Sequence, residues 1–536
     1  MSEKKNTILG IDAMKWLFAL EYVLQGLANP FQGITYQPIF KHFHFDYGLS
    51  ESMTQRYFSQ SYLAWSFKPI IGFFMDAFGR TKTILLILLT SGSAFFLLTP
   101  YLDTGATMFF VSLMIVAFLF ACTDVAVDRA TVISGEEESR ASGRSKAATV
   151  GLNQAICWAA IYGTGIVSAF SGGWIADNLS IDTLMYGLAV VPLIVLIAVI
   201  KLPRDTAVFI PLKTSVLNFW NGLNTGPILW IILFYFLFHF QPAMGALWTN
   251  YCIETLGFSQ TQIGISDGFV NIGMFIGVIL FAVVGIGWQD RFGLRRIFQV
   301  FIMLSILVGF TQYLMIDPRF SNTCSRLHQI FPSMELETIR IAYFSLYGFF
   351  SAILLSFSQM STFSLVGAVI PVNAAGSLFA GFMSVSNLAY SFSYSSGAWL
   401  YEHGLDYGFL RSIQTNLFGL EAVPGNPMSV NLLIFIGSIS FMLSFLSIRM
   451  LPDRKQTCAV EVETEHMIGP IQYKQLPGTT QKTINSTSWL VFLIIAAVCI
   501  LFWELDWISS VILAFFLSAF IRKLILDSHY RKFRRG

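Results

Sequence analysis

Apolar residues in this chain come in runs about as long as a membrane-spanning helix, separated by short polar breaks. A helix needs roughly 20 mostly apolar residues to cross a bilayer. Such runs occupy 16–40, 53–75, 83–102, 106–130, 147–170 and 183–201, and after a polar stretch 227–252, 262–287, 297–316, 339–366, 374–400 and 430–450. The pattern predicts an all-α polytopic membrane protein: a six-helix bundle over 1–201, a linker over 202–225 and a second six-helix bundle over 226–451. Beyond these, 452–487 reads as another linker and 488–526 as an added transmembrane hairpin turning near Glu504 and Asp506. The last residues, 527–536, form a basic tail.

Composition agrees. The 536 residues are 55% hydrophobic and 12% charged, about half the charged fraction of a soluble domain. Six cysteines show no C-x-x-C spacing, so neither a disulfide framework nor a zinc site is expected. The N-terminal "MSEKKNTILGIDAMKW" has no secretory apolar core and is too short and acidic for a transit peptide.

The charges sharpen the layout. If the N-terminus is cytoplasmic, the inside segments hold Lys4, Lys5, Arg80, Lys82, Arg140, Arg144, Lys201, Arg291, Arg295 and the tail Arg531–Arg535. The outside segments hold little beyond Lys41, Arg319, Arg326 and Arg411. That bias predicts a cell-membrane protein with both termini cytoplasmic. The tail "HYRKFRRG" is then an anchor at the anionic leaflet rather than a nucleic-acid site. "GEEESRASGRSK" at 135–146 is expected to be a solvated loop.

One feature occurs twice. "GFFMDAFGRTK" follows the second run and "GIGWQDRFGLRR" the eighth, each ending a helix with Asp, Gly and basic residues. Equivalent places in the two halves are what an internal duplication leaves. Gly72, Asp76, Gly79, Arg80 and Lys82 match the signature loop of the major facilitator superfamily. The second copy departs by having Ile286 where a glycine is expected before Asp290 and Arg291. A gate at the cytoplasmic face is expected from these residues together with Asp128 and Arg129.

Lys68 sits inside the second run, about 12 Å along the helix from Asp76. A charge at that depth costs on the order of 3 kcal/mol, so it must face protein or water and find a partner. Asp124 and Glu21 stand at similar depth, and Asp124 and Asp128 share a helix face at a spacing of four. A Lys68 pair with Asp124 or Glu21 is expected, either as a static ion pair or as a group that couples a proton to conformational change. Gln25, Asn29, Asn153, His239, Asn271 and Gln359 are further polar candidates for a hydrated central cavity, as are Asp267 and Asn387. Pro30, Pro38 and Pro242 interrupt the first and seventh runs. The small residues of "GTGIVSAFSGG" at 163–173 predict close helix packing.

Several stretches together resemble the folate–biopterin transporter family within that superfamily. They are "GLANPFQGITYQPIF", "SFKPIIGFFMDAFG", "TDVAVDRATV", "NQAICWAAIYGTGIVSAFSGGWIAD" and "QPAMGALWTNYCIETLGFSQTQIG". The resemblance spans 16–450 and includes Lys68, Pro69 and Gly72, then Asp124, Val125, Val127 and Asp128. Arg129 stands where a small apolar residue is expected. The resemblance implies uptake of folates or pterins coupled to protons. Lys68 would then receive a carboxylate, and Trp65, Trp158, Phe238 and Trp248 are candidates to stack the ring. Transport of another organic anion, such as an acyl-CoA, a muropeptide or an amino acid, is the alternative within this class. A sensor or scaffold role is the alternative outside it, although no soluble segment is long enough for a signalling domain. No catalytic or phosphate-cradling motif is present, so neither enzyme activity nor a cofactor is expected, and a monomer is expected.

Overall fold

The computed structural model describes residues 7–8, 11–78, 80–142, 146–203, 211–223, 228–242, 245–316, 322–369, 375–451 and 478–502, with scattered positions from 511 to 525. Apart from a two-residue antiparallel ribbon, Thr7–Ile8 with Ile11–Asp12, its regular structure is helical. Among the described residues, eight helices are long and apolar enough to cross a membrane. They are the third to sixth, eighth to tenth and twelfth of the expected runs: Thr81–Leu102, Ala106–Ser142, Leu152–Asn178, Ile181–Lys201, Gln260–Gly285, Leu294–Ile316, Leu336–Phe363 and Val430–Ile448.

The other four runs are helical but differ in kind. The first breaks after Ala13–Ala28 and resumes at Tyr36–Lys41. The second comes in three pieces, Glu51–Ser61, Leu63–Ser66 and Lys68–Phe78. The seventh stops at Ile228–His239 and restarts at Gly245–Glu254. The eleventh, Ala375–His403, is continuous but rich in serine.

A broken helix leaves carbonyls and N–H groups that hydrocarbon does not satisfy, so protein must. In the first break Phe31 takes φ 66, the only positive value on a non-glycine residue among the described positions, and Gly33 follows at φ 54. The Thr35 hydroxyl donates to the carbonyls of Asn29 at 2.8 Å and Gln32 at 2.6 Å. In the seventh, Pro242 removes a donor, and Gly245 turns the chain at φ 31. The Gln241 N–H donates to the Ser393 hydroxyl at 2.9 Å, and the Ala246 N–H to Gln55 Oε1 at 2.6 Å. Each break is stabilised by hydrogen bonds from the protein itself.

Two seams join the halves. The second helix lies on the eleventh: Ser59 Oγ donates to the Ser391 carbonyl at 2.8 Å, and Ser384 Oγ to that of Trp65 at 3.2 Å. A methyl on Gly72 would stand 3.2 Å from Ser377 Cα. The fifth helix lies on the eighth through the small-residue stretch. A methyl on Gly173 would meet the Gln260 carbonyl at 2.4 Å, and one on Gly264 the Ala169 carbonyl at 2.5 Å. A two-fold that exchanges the halves maps helix two onto eight and eleven onto five, so the seams are one contact made twice.

Two expectations are corrected. The stretch from Gly135 is not a loop, because helix four runs on to Ser142. Its Glu136 and Arg140 pair at i,i+4, and Glu138 binds Lys15 at 2.5 Å, which favours helix over coil. A helix runs over Gly478–Phe502, so it starts before the 488 expected for the added hairpin. The turn at Glu504 and Asp506 and the 452–477 stretch lie outside the described residues. In the second signature copy Gly293 adopts φ 81 between Ile286–Phe292 and Leu294–Phe310. Its counterpart Gly79 and the side chains of Asp76 and Asp290 lie outside the described residues.

A valine at Gly173 must push against backbone, and overpacking of this kind costs about 1–3 kcal/mol. Gly173→Val is expected to lower the melting temperature in detergent, whereas Gly187→Ala, which meets nothing within 4 Å, is not. Intrinsic fluorescence melts check both.

Candidate functional site

Between the halves lies a cavity of about 570 Å³. Its walls come from helices one, two, four and five of the first half and seven, eight, ten and eleven of the second. The four helices that lack a continuous apolar span, one, two, seven and eleven, are all among them. The third, sixth, ninth and twelfth contribute nothing to the lining. A helix that presents one face to water carries polar residues and breaks there, which is why those runs lose apolar length.

Lys68 is the one cation on these walls, and it is 2% exposed. Its ammonium forms an ion pair with Asp124 and reaches Asp128 Oδ2 at 3.5 Å. Asp128 Oδ1 accepts from the Tyr22 hydroxyl at 2.9 Å and from Gln154 Nε2 at 3.4 Å. Gln154 also donates to Thr131 Oγ1 at 2.9 Å. Glu21, fully buried, stands beside this group without reaching Lys68. Its Oε1 accepts from Thr123 Oγ1 at 2.6 Å and from Gln25 at 3.1 Å. Glu21 Oε2 and Asp124 Oδ1 are buried without a hydrogen-bond partner among the described residues. The cluster thus sets three carboxyl groups around one ammonium.

The geometry chooses between the acids that spacing left open: Asp124, not Glu21, pairs with Lys68. Asp128, expected at the cytoplasmic gate, instead joins this central cluster, because a spacing of four turns it to the same face as Asp124. Arg129, the next residue, is half-buried and turned off that face. Gln25 and Asn29 line the cavity, as do Trp158, Asn271 and Gln359. Gln359 accepts from the Tyr162 hydroxyl at 2.9 Å, and Asn271 donates to the Asp267 carbonyl at 2.9 Å. Asn153 and His239 do not line it. Asn153 is held by Lys15 and donates to the Thr131 carbonyl at 3.0 Å, and His239 Nδ1 sits 2.9 Å from the Tyr235 carbonyl.

Of the ring candidates, Trp65, Trp158 and Trp248 reach the cavity, while Phe238 is packed in the second-half core. At the signature turn, Lys82 donates to the carbonyls of Ile200 at 2.8 Å and Leu202 at 2.7 Å, tying it to the end of helix six. Arg80 and Arg291 are exposed.

Residue patterning missed the tyrosines. Tyr22, Tyr36, Tyr62, Tyr162, Tyr390 and Tyr394 all face the cavity, and the Tyr62 ring lies 5.6 Å from those of both Tyr390 and Tyr394. The usable signal was the spacing of four between Tyr390 and Tyr394, which puts two hydroxyls on one helix face. Around the signature-turn end of the cavity the seal is apolar. Val132, Val150 and Tyr162 of the first half pack in one cluster with Phe363, Leu378 and Phe379 of the second. Toward the opposite end it is polar: Arg56 pairs with Glu402 at 2.8 Å, and Asn250 donates to Glu51 at 3.2 Å.

A cavity bounded by buried charge, at the seam of two six-helix bundles, is the architecture of a multi-pass membrane transporter with the major facilitator fold. The chain belongs to the BT1 family, whose model matches residues 25–468. It is 25% identical to a folate-biopterin transporter of Synechocystis over 379 residues, 67% of this chain and 71% of that protein. It is 28% identical to probable folate-biopterin transporter 4 of Arabidopsis thaliana over 191 residues, 35% of this chain and 37% of that one. In fold it is similar to a D-xylose-proton symporter, with TM-score 0.53 at 14% identity over 83% of this chain and 98% of that one. It is also similar to the nucleoside transporter NupG, with TM-score 0.51 at 13% identity over 82% and 98%.

Removing one partner from a buried ion pair leaves the other charge uncompensated, at about 3–5 kcal/mol. Lys68→Met is therefore expected to destabilise the protein strongly, and adding Asp124→Asn to recover part of the loss. Thermal unfolding of the single and double variants in detergent checks this.

Proposed function

We propose that this transporter carries folate- or pterin-type substrates into the cell by alternating access, coupled to protons. The observation that carries the reading is the excess of acid around Lys68. Glu21, Asp124 and Asp128 together outnumber the single ammonium. An uncompensated carboxylate in a low-dielectric site costs several kcal/mol, so such a cluster is most stable when protons balance it. A substrate carboxylate arriving at Lys68 would displace Asp124, and a proton taken up there would keep the count neutral. Release on the other side would reverse both steps.

The names of the two relatives support the substrate class, and so do the walls. Trp65, Trp158 and Trp248 with the tyrosines offer flat faces to a heteroaromatic ring. The unequal seals support the gating. In this reading the signature turn and both termini are cytoplasmic, the protein sits in the cell membrane as a monomer, and 202–225 is the linker between two moving bundles. Asp76, Arg80, Lys82, Arg129, Asp290 and Arg291 serve the cytoplasmic gate, and Gly72 is the close contact about which helices two and eleven separate.

Labelled folate is expected to accumulate in proteoliposomes, faster when an imposed pH gradient drives protons the same way. Asp124→Asn is expected to abolish the gradient response and to cut driven uptake about tenfold or more, the rate equivalent of ~1.4 kcal/mol. Undiminished gradient-driven uptake in that variant would remove Asp124 from the coupling. Uptake of another anion in place of folate would replace the substrate.

A further inference from the structure

Lys68 and Asp124 both belong to the first half. The second half brings one charged side chain to the cavity, Asp267 of helix eight, and no cation among the described residues. Asp267 has no ion-pair partner there. Gln37 Nε2 donates to its Oδ2 at 3.3 Å, and its Oδ1 has no hydrogen-bond partner among the described residues. Its backbone carbonyl is already taken by Asn271, one turn on, which leaves the carboxylate as the acceptor that faces the open space.

The position is distinct from the Lys68 cluster. Helices two and eight both start from the face opposite the signature turn, at Glu51 and Gln260. At 1.5 Å per residue Asp267 lies about 10 Å in and Lys68 about 25 Å. The cavity therefore has an acid pole near one end and a base-and-acid pole ~15 Å deeper. The wall of the acid pole is aromatic. Tyr36, whose hydroxyl is 3.3 Å from Thr249 Oγ1, and Tyr394 line it with Trp248.

A carboxylate with two oxygens in one plane best accepts two parallel N–H donors, as in an amidine-like edge, and such bidentate pairing is stronger than a single hydrogen bond. A flat ring carrying that edge can also lie against the tyrosines. We propose that Asp267 is the specificity residue of a second subsite, which takes the aminopyrimidinone-type N–H edge of a planar heterocycle while an anionic end of the same molecule reaches toward Lys68. The subsite rests on the folate or pterin reading for its ligand class, and it sets the orientation in which such a molecule sits.

The test uses the full chain in detergent and the quenching of its intrinsic tryptophan fluorescence, since Trp65, Trp158 and Trp248 line the cavity. The probes are pterin, with an amino group and a ring N–H side by side, and lumazine, where a carbonyl replaces the amino group. Leaving one acceptor of a buried site unpaired is costly, so the wild type is expected to prefer pterin by about tenfold. Asp267→Asn is expected to erase that preference through weaker pterin binding. Equal binding of the two probes by the wild type, or an unchanged preference in Asp267→Asn, overturns the subsite. Should the melting curve show that Asp267→Asn does not fold, Asp267→Glu is read with the same probes: a reduced preference supports the subsite and an unchanged one overturns it. Folate uptake separates the two readings. A wild type that takes up folate but binds both probes alike keeps the transport reading and loses the subsite. One that prefers pterin but takes up no folate does the opposite.

Discussion

The structure depends on an ammonium group that has no place in hydrocarbon. Lys68 is buried on the cavity wall, and two aspartates on one face of helix four hold it. That requirement brings helix two against helix four and turns Tyr22 and Gln154 inward to finish the shell of Asp128. It also places the polar cluster beside the open space between the halves, the one part of the interior where charge can be exchanged with a passing molecule. A transporter needs such a site to be stable when empty and equally stable when its ions are re-paired. In the proposed proton-coupled cycle, a cluster with more acids than bases would meet both needs, with protons making up the difference.

Backbone satisfaction is the second constraint. The breaks in helices one and seven release main-chain groups at membrane depth. Thr35, Ser393 and Gln55 take them up, the last two from other helices. The break in helix seven is thus bonded to helices two and eleven, the pair that forms one of the two seams. That seam and the break in helix seven share hydrogen bonds, so in the proposed alternating-access cycle the wall around Asp267 and Trp248 would move with the gate. The seal near the signature turn is mostly apolar, with the Tyr162–Gln359 hydrogen bond crossing beside it.

Much of this was legible in the residues. Run lengths, the duplicated Asp–Gly–basic turns and the small-residue stretch 163–173 are local patterns with a direct physical cause, and the helices, the fold class and the close packing of helix five follow from them. The lysine in the second run announced a buried partner for the same reason. Less legible was anything that turns on rotation about a helix axis or on distant contacts. Asp128 looked like a gate residue by its nearness to Arg129, Asn153 and His239 looked like cavity residues by their depth, and 135–146 looked like a loop by its polarity. For Asp128, Asn153 and Glu138 the neighbour that decides the matter lies far away in the chain: Lys68 for the first and Lys15 for the other two.

By itself, then, the sequence determined that the chain crosses a membrane many times in two related halves and buries a cation needing an acid, because spacing, hydropathy and the cost of lone charge act within one helix. Tertiary structure alone decided which acid that is, which polar groups face the cavity, and that Asp267 meets it from the other half. Those outcomes depend on how helices distant in sequence rotate and pack against each other, and periodicity along a single helix carries no information about its neighbour.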